Sequence, residues 1–116
     1  MELTLPDLQE KLKSWDGCAL SKNANPVLGE GNHNADVLFI GEAPGKKEDE
    51  LGRPFVGSAG KFLDELIESM GWKRSDVYIS NVVKYRPPDN RDPTPEEKAE
   101  CMPWLMLEIA IIKTDR

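Results

Sequence analysis

Two apolar runs joined by a helix-forming segment constrain the fold of this chain most strongly. Residues 36–41 form an almost continuous apolar run that ends in glycine, which is typical of a parallel strand buried on both faces. Residues 77–83 form a second strand-like run, and the segment 58–70 between them has apolar residues at helical spacing. Because a strand, a helix and a strand connected at this length pair in parallel, we predict an α/β fold with neighbouring parallel strands. The apolar face of the connecting helix would consist of Phe62, Leu63, Leu66, Ile67 and Met70.

Two further helices and two long loops complete the predicted elements. Apolar residues at helical spacing predict a helix over about residues 5–15. Another helix should run over about residues 95–112, with a kink at Pro103. The segment 17–34 is rich in glycine, asparagine and proline, and the segment 42–57 contains glycines, prolines and a cluster of charged residues. Neither segment shows a hydrophobic period, so we expect loops there.

The length of the chain limits how these elements are organised. A chain of 116 residues lies in the size range of one domain, so we expect a single domain with two strands and three helices. The sheet would be unfinished. Its first strand would expose an edge, unless the last helix or a partner chain covers it.

Charge and apolar patterning exclude several classes of protein. A net charge of −6 argues against DNA binding by bulk electrostatics, so any DNA contact should be local, as at the basic segment 84–91. No apolar run approaches the length of a membrane span, and the first residues do not resemble a secretion signal. We therefore expect a cytoplasmic protein with no membrane partner, in which Cys18 and Cys101 are reduced and buried.

Polar residues follow both predicted strands at their carboxyl ends, where open parallel sheets place functional loops. The first strand leads into GEAPG at residues 41–45, and the second contains Asn81 and leads into a basic, proline-rich loop at residues 84–93. GEAPG lacks the glycine spacing of a dinucleotide fingerprint, and the chain contains no glycine-lysine-serine or glycine-lysine-threonine loop. Taken by itself, GEAPG is equally compatible with a strand exit that ends in a proline turn. A carboxylate, an amide and a basic loop at one edge predict a site that recognises a nucleic-acid base and binds the phosphate backbone.

Three sequence blocks in order strengthen this interpretation. They are GEAPGKKEDELGRPFVGSAG at residues 41–60, VYISNVVKYRPPDNRDPTPEE at 77–97 and CMPWL at 101–105. Together they resemble the signature blocks of uracil-DNA glycosylases of the iron-sulfur type, family four. The resemblance covers about residues 18–109. It implies an α/β/α sandwich and a base-excision repair hydrolase that removes uracil from DNA by cleaving the N-glycosidic bond.

The resemblance also implies roles for individual residues. Glu42 matches the acidic catalytic position, where a carboxylate would orient the attacking water and offset positive charge on the sugar. Phe55 matches the aromatic residue that stacks on the extracted uracil. Asn81 matches the asparagine that recognises uracil, because an amide can donate to O4 and accept from N3–H. The remaining substrate-binding positions are Gly41, Ala43, Pro44 and Gly45.

Charged residues next to these motifs complete the predicted site. Glu48 and Asp49 match an acidic pair that would shape the loop or help to position water at the catalytic centre. Lys84, Arg86 and Arg91 are predicted to face the DNA backbone, with a solvated basic loop as the alternative.

The chain departs from this family at its cysteines. Family members hold a four-iron cluster with four cysteines, whereas here only Cys18 and Cys101 match, with Trp15 and Tyr85 at the other two places. We therefore predict no metal ligands and no cofactor. Instead, Trp15 and Tyr85 should pack beside the two thiols and connect the N-terminal loop to the last helix.

Relatives in this family are considerably longer, and their C-terminal part supplies further strands and a histidine loop that stabilises the departing uracil. We expect this part to be lacking here, since His33 precedes the first strand and matches no catalytic position. Two alternatives to an active enzyme therefore remain. One is a noncatalytic module that binds uracil-containing DNA or a protein, and the other is an inactive fragment of a full enzyme.

Overall fold

In the part of the chain that the structure describes, the sheet has three strands, and the two predicted strands are its parallel pair. The computed structural model describes residues 4–112, apart from the side chain of residue 90. The strands are β1 (Glu30–Gly31), β2 (Leu38–Gly41) and β3 (Tyr78–Asn81), in the spatial order β1-β3-β2. β2 and β3 are parallel, with Leu38 opposite Tyr78 and Gly41 opposite Asn81. The predicted parallel pairing is therefore confirmed.

The central strand β3 divides the core into two layers, because successive side chains of a strand point to opposite faces. Tyr78 belongs to the larger apolar cluster, which also contains residues of the first and last helices. Ile79 belongs to a smaller cluster with Leu63 and Ile67 of the connecting helix. Helices therefore cover both faces of the sheet, and the mixed α/β fold is as predicted.

Within residues 4–112, four α-helices surround this sheet, instead of the three that were predicted. They are α1 (Leu5–Ser14), α2 (Lys46–Leu51), α3 (Ser58–Ser69) and α4 (Pro95–Ile112). α1 begins with a capping box in which the Thr4 hydroxyl accepts from the Asp7 N–H at 3.3 Å and Asp7 Oδ2 accepts from the Thr4 N–H at 3.0 Å. Pro103 lies inside α4, at the predicted place.

Two predicted loops contain regular structure. β1 lies within the segment 17–34 and pairs antiparallel with β3, and α2 lies within the segment 42–57. β1 has two residues and depends on a partner almost fifty positions later, so no local pattern reveals it. α2 has six residues and none of them is buried, so it has no apolar stripe that a sequence could show.

Two burial predictions are wrong. β2 was expected to be buried on both faces, but it lies at the edge of the sheet and Ile40 is 46% exposed. On the apolar face predicted for the connecting helix, Leu63 and Ile67 are buried, while Phe62, Leu66 and Met70 are exposed. β2 is an edge strand of the described sheet, so it has a neighbouring strand on one side only. The exposed edge that was predicted for the strand at residues 36–41, which is β2, is confirmed.

Within residues 4–112, no helix combines the length and the apolar character that crossing a membrane requires.

Candidate active site

A cleft of about 350 Å³ opens at the carboxyl ends of β2 and β3. The parallel register places the last residues of the two strands, Gly41 and Asn81, directly opposite each other. The segment after β2 and the basic loop after β3 then form the two walls, as expected for functional loops in a parallel sheet. A smaller cavity of about 240 Å³ shares part of this lining and adds Glu48 and Ala59. The larger cleft is lined by Gly41, Glu42, Ala43, Pro44, Gly45, Phe55, Asn81, Pro87, Arg91, Asp92 and Pro93.

Gly41 brings the predicted stacking and base-reading residues together. A Cβ atom at this position would lie 2.5 Å from Asn81 Oδ1 and 2.5 Å from Phe55 Cζ, so only glycine leaves room for both side chains. Asn81 is 3% exposed, which holds its amide in a fixed place. The ring and the amide therefore meet at the base of the cleft.

Glu42 lies at the rim of the cleft and is paired with a lysine. Its carboxylate is half exposed and lies 3.1 Å from Lys98 Nζ of α4. Its main chain is fixed, because the Glu42 carbonyl accepts from the Val83 N–H at 2.9 Å. Lys98 was not among the predicted site residues. The start of α4 was visible in the sequence, but not the side of the helix that meets the cleft.

Glu48 connects the two loops that form one side of the cleft. Its Oε1 accepts from the Gly45 N–H at 3.0 Å, and its Oε2 accepts from the N–H groups of Val56 and Gly57, each at 2.8 Å. Burial alone would raise the pKa of Glu48, but these backbone donors hold the pKa below its usual value. An ionised carboxylate with this many donors is an anchor for the loops that carry Ala43 and Phe55.

Asp49 points away from the cleft. Its Oδ1 accepts from the Asn25 N–H at 2.7 Å, and its carbonyl accepts from the Asn25 side chain at 3.0 Å. Asp49 does not line either cavity. These contacts are those expected if the acidic pair shapes the loop, and its catalytic role stays a prediction.

Arg91 lines the cleft and is held by an acid of α4. Its two terminal nitrogens donate to the two oxygens of Glu97, each at 2.8 Å. The guanidinium lowers the pKa of Glu97 to about 2, and the Thr94 N–H, which donates to the same carboxylate at 2.8 Å, acts in the same direction. The carboxylate therefore fixes the basic loop to the start of α4.

We expect this carboxylate to stabilise the fold in a defined pH range. Because the folded pKa lies near 2 and the usual value is 4.5, the contribution of Glu97 is complete above about pH 4.5 and disappears as the pH falls towards 2. Urea unfolding of the wild type and Glu97→Gln should show a stability difference at pH 7 that shrinks over this interval. Glu96→Gln, at an exposed neighbouring position, is the control. A difference independent of pH would contradict the assignment.

The prediction that Lys84 faces the DNA backbone is wrong. Its side chain is fully buried, and its ammonium donates to Glu108 Oε1 at 2.5 Å and to Ser80 Oγ at 2.8 Å. The sequence placed Lys84 in a basic loop, but its partner lies in α4, too far along the chain to be recognised. Arg86, by contrast, is partly exposed.

The region that would hold an iron-sulfur cluster is packed with aromatic side chains. Cys18, Cys101 and Tyr85 belong to one buried cluster, and Trp15 packs against it. The Trp15 ring stacks on Tyr85 at 6.1 Å between centroids and meets Trp104 edge-on at 5.5 Å. The predicted packing of the two aromatic residues beside the two thiols is confirmed.

These residues do not fit a four-iron cluster, which needs four thiolates. The described residues contain two free cysteines and no group of three or more side chains that could hold a metal ion. Burial raises the pKa of Cys18 and of Tyr85 to about 12 each, and it also raises the pKa of Cys101, so these surroundings favour the protonated groups. That the protein carries no cluster stays a prediction.

The structure is that of an α/β protein with a cleft at the carboxyl edge of a parallel strand pair. The family model described as "Uracil DNA glycosylase superfamily" matches residues 28–116. Proteins named type-4 uracil-DNA glycosylase from Thermotoga maritima and Pyrobaculum aerophilum are 51% and 49% identical to this chain, over 93% and 98% of its length. The chain belongs to the uracil DNA glycosylase superfamily.

The relatives are longer than this chain. It spans 57% of the Thermotoga maritima protein and 59% of the Pyrobaculum aerophilum protein. A more distant relative, a type-5 uracil-DNA glycosylase from Thermus thermophilus, is 35% identical over 77% of this chain and 47% of its own length.

Proposed function

We propose that this protein acts on uracil-containing DNA and removes uracil by hydrolysis of the N-glycosidic bond. One observation carries the proposal, namely that a phenyl ring and a buried amide meet across Gly41 at the base of a cleft. The family to which the chain belongs and the names of its relatives support the same activity. The cleft volume of about 350 Å³ can accommodate a flipped pyrimidine and part of its sugar.

In this proposal the base is read by Asn81 and stacked on Phe55. The amide of Asn81 donates to O4 of uracil and accepts from N3–H, whereas cytosine presents the reverse pattern at these two positions. The ring of Phe55 supplies stacking, which does not distinguish one base from another. Selectivity for uracil over cytosine therefore rests on Asn81.

Glu42 is proposed to act at the sugar. It lies at the rim of the cleft, where a carboxylate can orient a water molecule and offset the positive charge that develops as the glycosidic bond breaks. Lys98 pairs with this carboxylate at 3.1 Å and limits its rotation. Glu48 and Asp49 contribute by shaping the loops, while Gly41, Ala43, Pro44 and Gly45 supply the wall.

The DNA backbone is proposed to pass along the loop after β3. Arg91 lies at the cleft and is 42% exposed, so a phosphate can approach its guanidinium beside Glu97. Arg86 lies on the same loop. With a net charge of −6, the protein depends on such local contacts, and its affinity for DNA should fall only modestly with added salt, because few phosphates are neutralised.

Single-turnover release of uracil from labelled single-stranded and duplex DNA tests the proposal. We expect weak release by the wild type, because its one histidine, His33, matches no catalytic position. Processing by Phe55→Ala should be about tenfold weaker again, because stacking on one aromatic ring is lost. Glu10→Gln is the control, because Glu10 is an exposed residue of α1 and does not line the cleft. Binding of uracil-containing DNA without release of the base would contradict catalysis and identify a binding module. Neither binding nor release by the wild type would contradict the proposal as a whole.

A further inference from the structure

The backbone of Phe55 is held in a conformation that side chains rarely adopt. Its φ angle is 52°, in the left-handed region that normally favours glycine. Phe55 is one of two described non-glycine residues with positive φ, and its ring lies against Gly41 in the cleft. Such strain persists only where the surroundings fix it. The contacts on either side of Phe55 therefore show what orients the ring.

Arg74 holds the peptide groups on both sides of Phe55. Its Nη1 donates to the Phe55 carbonyl at 2.8 Å, and its Nη2 donates to the Pro54 carbonyl. These carbonyls belong to the two peptide planes that flank the Phe55 Cα atom, so one guanidinium restrains both φ and ψ. The second plane is held from its other side as well, because the Val56 N–H donates to Glu48.

The guanidinium is itself fixed by two acids from different elements. Nη1 also donates to Asp64 Oδ1 of α3 at 3.1 Å, and Nε donates to Glu30 Oε2 of β1 at 3.2 Å. The side chain of Arg74 is 20% exposed, so these bonds are partly shielded from water. Close approach of α3 completes the arrangement, since a Cβ atom at Gly60 would lie 2.0 Å from the Phe55 carbonyl oxygen.

We propose that Arg74 is a positioning residue for base recognition, which acts by locking Phe55 in the left-handed conformation that presents its ring to the flipped base. This inference rests on the proposed function, because the ring is assigned to uracil there. Arg74 lies outside the cleft that carries Asn81 and Glu42 and would not touch the base. Pre-organisation of the ring lowers the cost of ordering it when the base arrives.

The orientation of the ring can be measured without DNA. The chain contains three phenylalanines, so selective labelling gives a readily assigned spectrum. In the wild type we expect nuclear Overhauser contacts between the Phe55 ring and the Gly41 α protons, and in Arg74→Gln we expect their loss. Arg74→Lys keeps one positive charge but cannot hold both carbonyls and both acids, so it should lose most of the contact while the fold is kept. Retention of the contact in both variants would overturn the inference.

A double-mutant cycle tests whether Arg74 acts through Phe55. We expect Arg74→Gln to raise KM for uracil-containing DNA about tenfold with kcat within about twofold, since ordering of one ring is lost. In the Phe55→Ala background the same substitution should change neither constant. Arg53→Gln is the matched control, because Arg53 pairs with the same Glu30 carboxylate at 2.7 Å.

The outcomes separate the two assignments. If Phe55→Ala leaves uracil release and binding unchanged, the stacking role fails, whereas the ring contacts still decide whether Arg74 positions Phe55. If Phe55→Ala impairs binding but Arg74→Gln does not, the positioning role fails. Equal effects of Arg74→Gln in the two backgrounds would show that Arg74 acts independently of the ring and would also overturn the inference.

Discussion

Replacement of Glu108 by leucine should destabilise the protein by about 3–5 kcal/mol, because it leaves a buried ammonium without its partner. Glu108 and Lys84 are both fully buried, with 2.5 Å between Oε1 and Nζ. The other oxygen of Glu108 accepts from the Tyr78 hydroxyl at 2.6 Å and from the Gly29 N–H at 2.9 Å. Loss of the carboxylate thus removes the partner of several buried donors at once.

The two partners of this ion pair should not be equivalent. In Lys84→Met the carboxylate keeps donors from Tyr78, Ser80 and Gly29, so we expect a smaller loss than in Glu108→Leu. The double variant should recover part of the stability, since it removes both charges together. Urea unfolding monitored by circular dichroism measures the difference.

An exposed acid of the same helix provides the control. Glu96→Leu should cost less than about 1 kcal/mol, as expected for surface positions. Equal losses for Glu96→Leu and Glu108→Leu would contradict the buried network.

The hydrogen-bond network of Glu108 and Lys84 also contacts β3, the strand that carries Asn81. Lys84 Nζ donates to the Asn81 carbonyl at 2.5 Å, and Ser80 and Tyr78 alternate with Asn81 along β3. The strand therefore presents polar groups on both faces: the Glu108 network on one face and the Asn81 amide on the other. The position of Asn81 depends on the stability of the pair behind it.

The sequence was sufficient to predict the elements that depend on local pattern. Continuous apolar runs predicted β2 and β3, and the helical spacing between them predicted α3 and hence the parallel pairing. The carboxyl-end rule then placed Gly41 and Asn81 at one edge, where the structure has them. These signals are carried by neighbouring residues, so they can be recognised without knowledge of the rest of the fold.

Features that depend on distant partners could not be predicted in this way. In the sequence alone, Lys84 resembles an exposed cation of a basic loop. Only the packing of α4 places Glu108 beside it. The left-handed backbone of Phe55 depends on Arg74, and the short helix α2 depends on Glu48 and the loop that follows it. In each case a single side chain joins segments that no local period connects.

Replacement of Asn81 by aspartate should weaken binding of uracil about a hundredfold. An ionised aspartate cannot donate to O4, and it places a negative charge against that carbonyl oxygen, so a favourable hydrogen bond becomes a repulsive contact. The shape of the side chain is almost unchanged, so the cleft should keep its volume. Asn23→Asp, the same substitution at an exposed position, should leave binding unchanged.

Titration of the ¹⁵N-labelled protein with free uracil, followed at the side-chain amide of Asn81, tests the central assignment most directly because it requires neither catalysis nor DNA binding. We expect saturable shifts of the Asn81 side-chain amide and of the Gly41 backbone N–H with uracil, and much weaker shifts with cytosine. In Asn81→Asp, which has no side-chain amide, we expect the saturable shift of the Gly41 N–H to be lost. Equal responses to uracil and cytosine, or uracil-dependent shifts confined to residues outside the cleft, would contradict selective binding of uracil in this cleft.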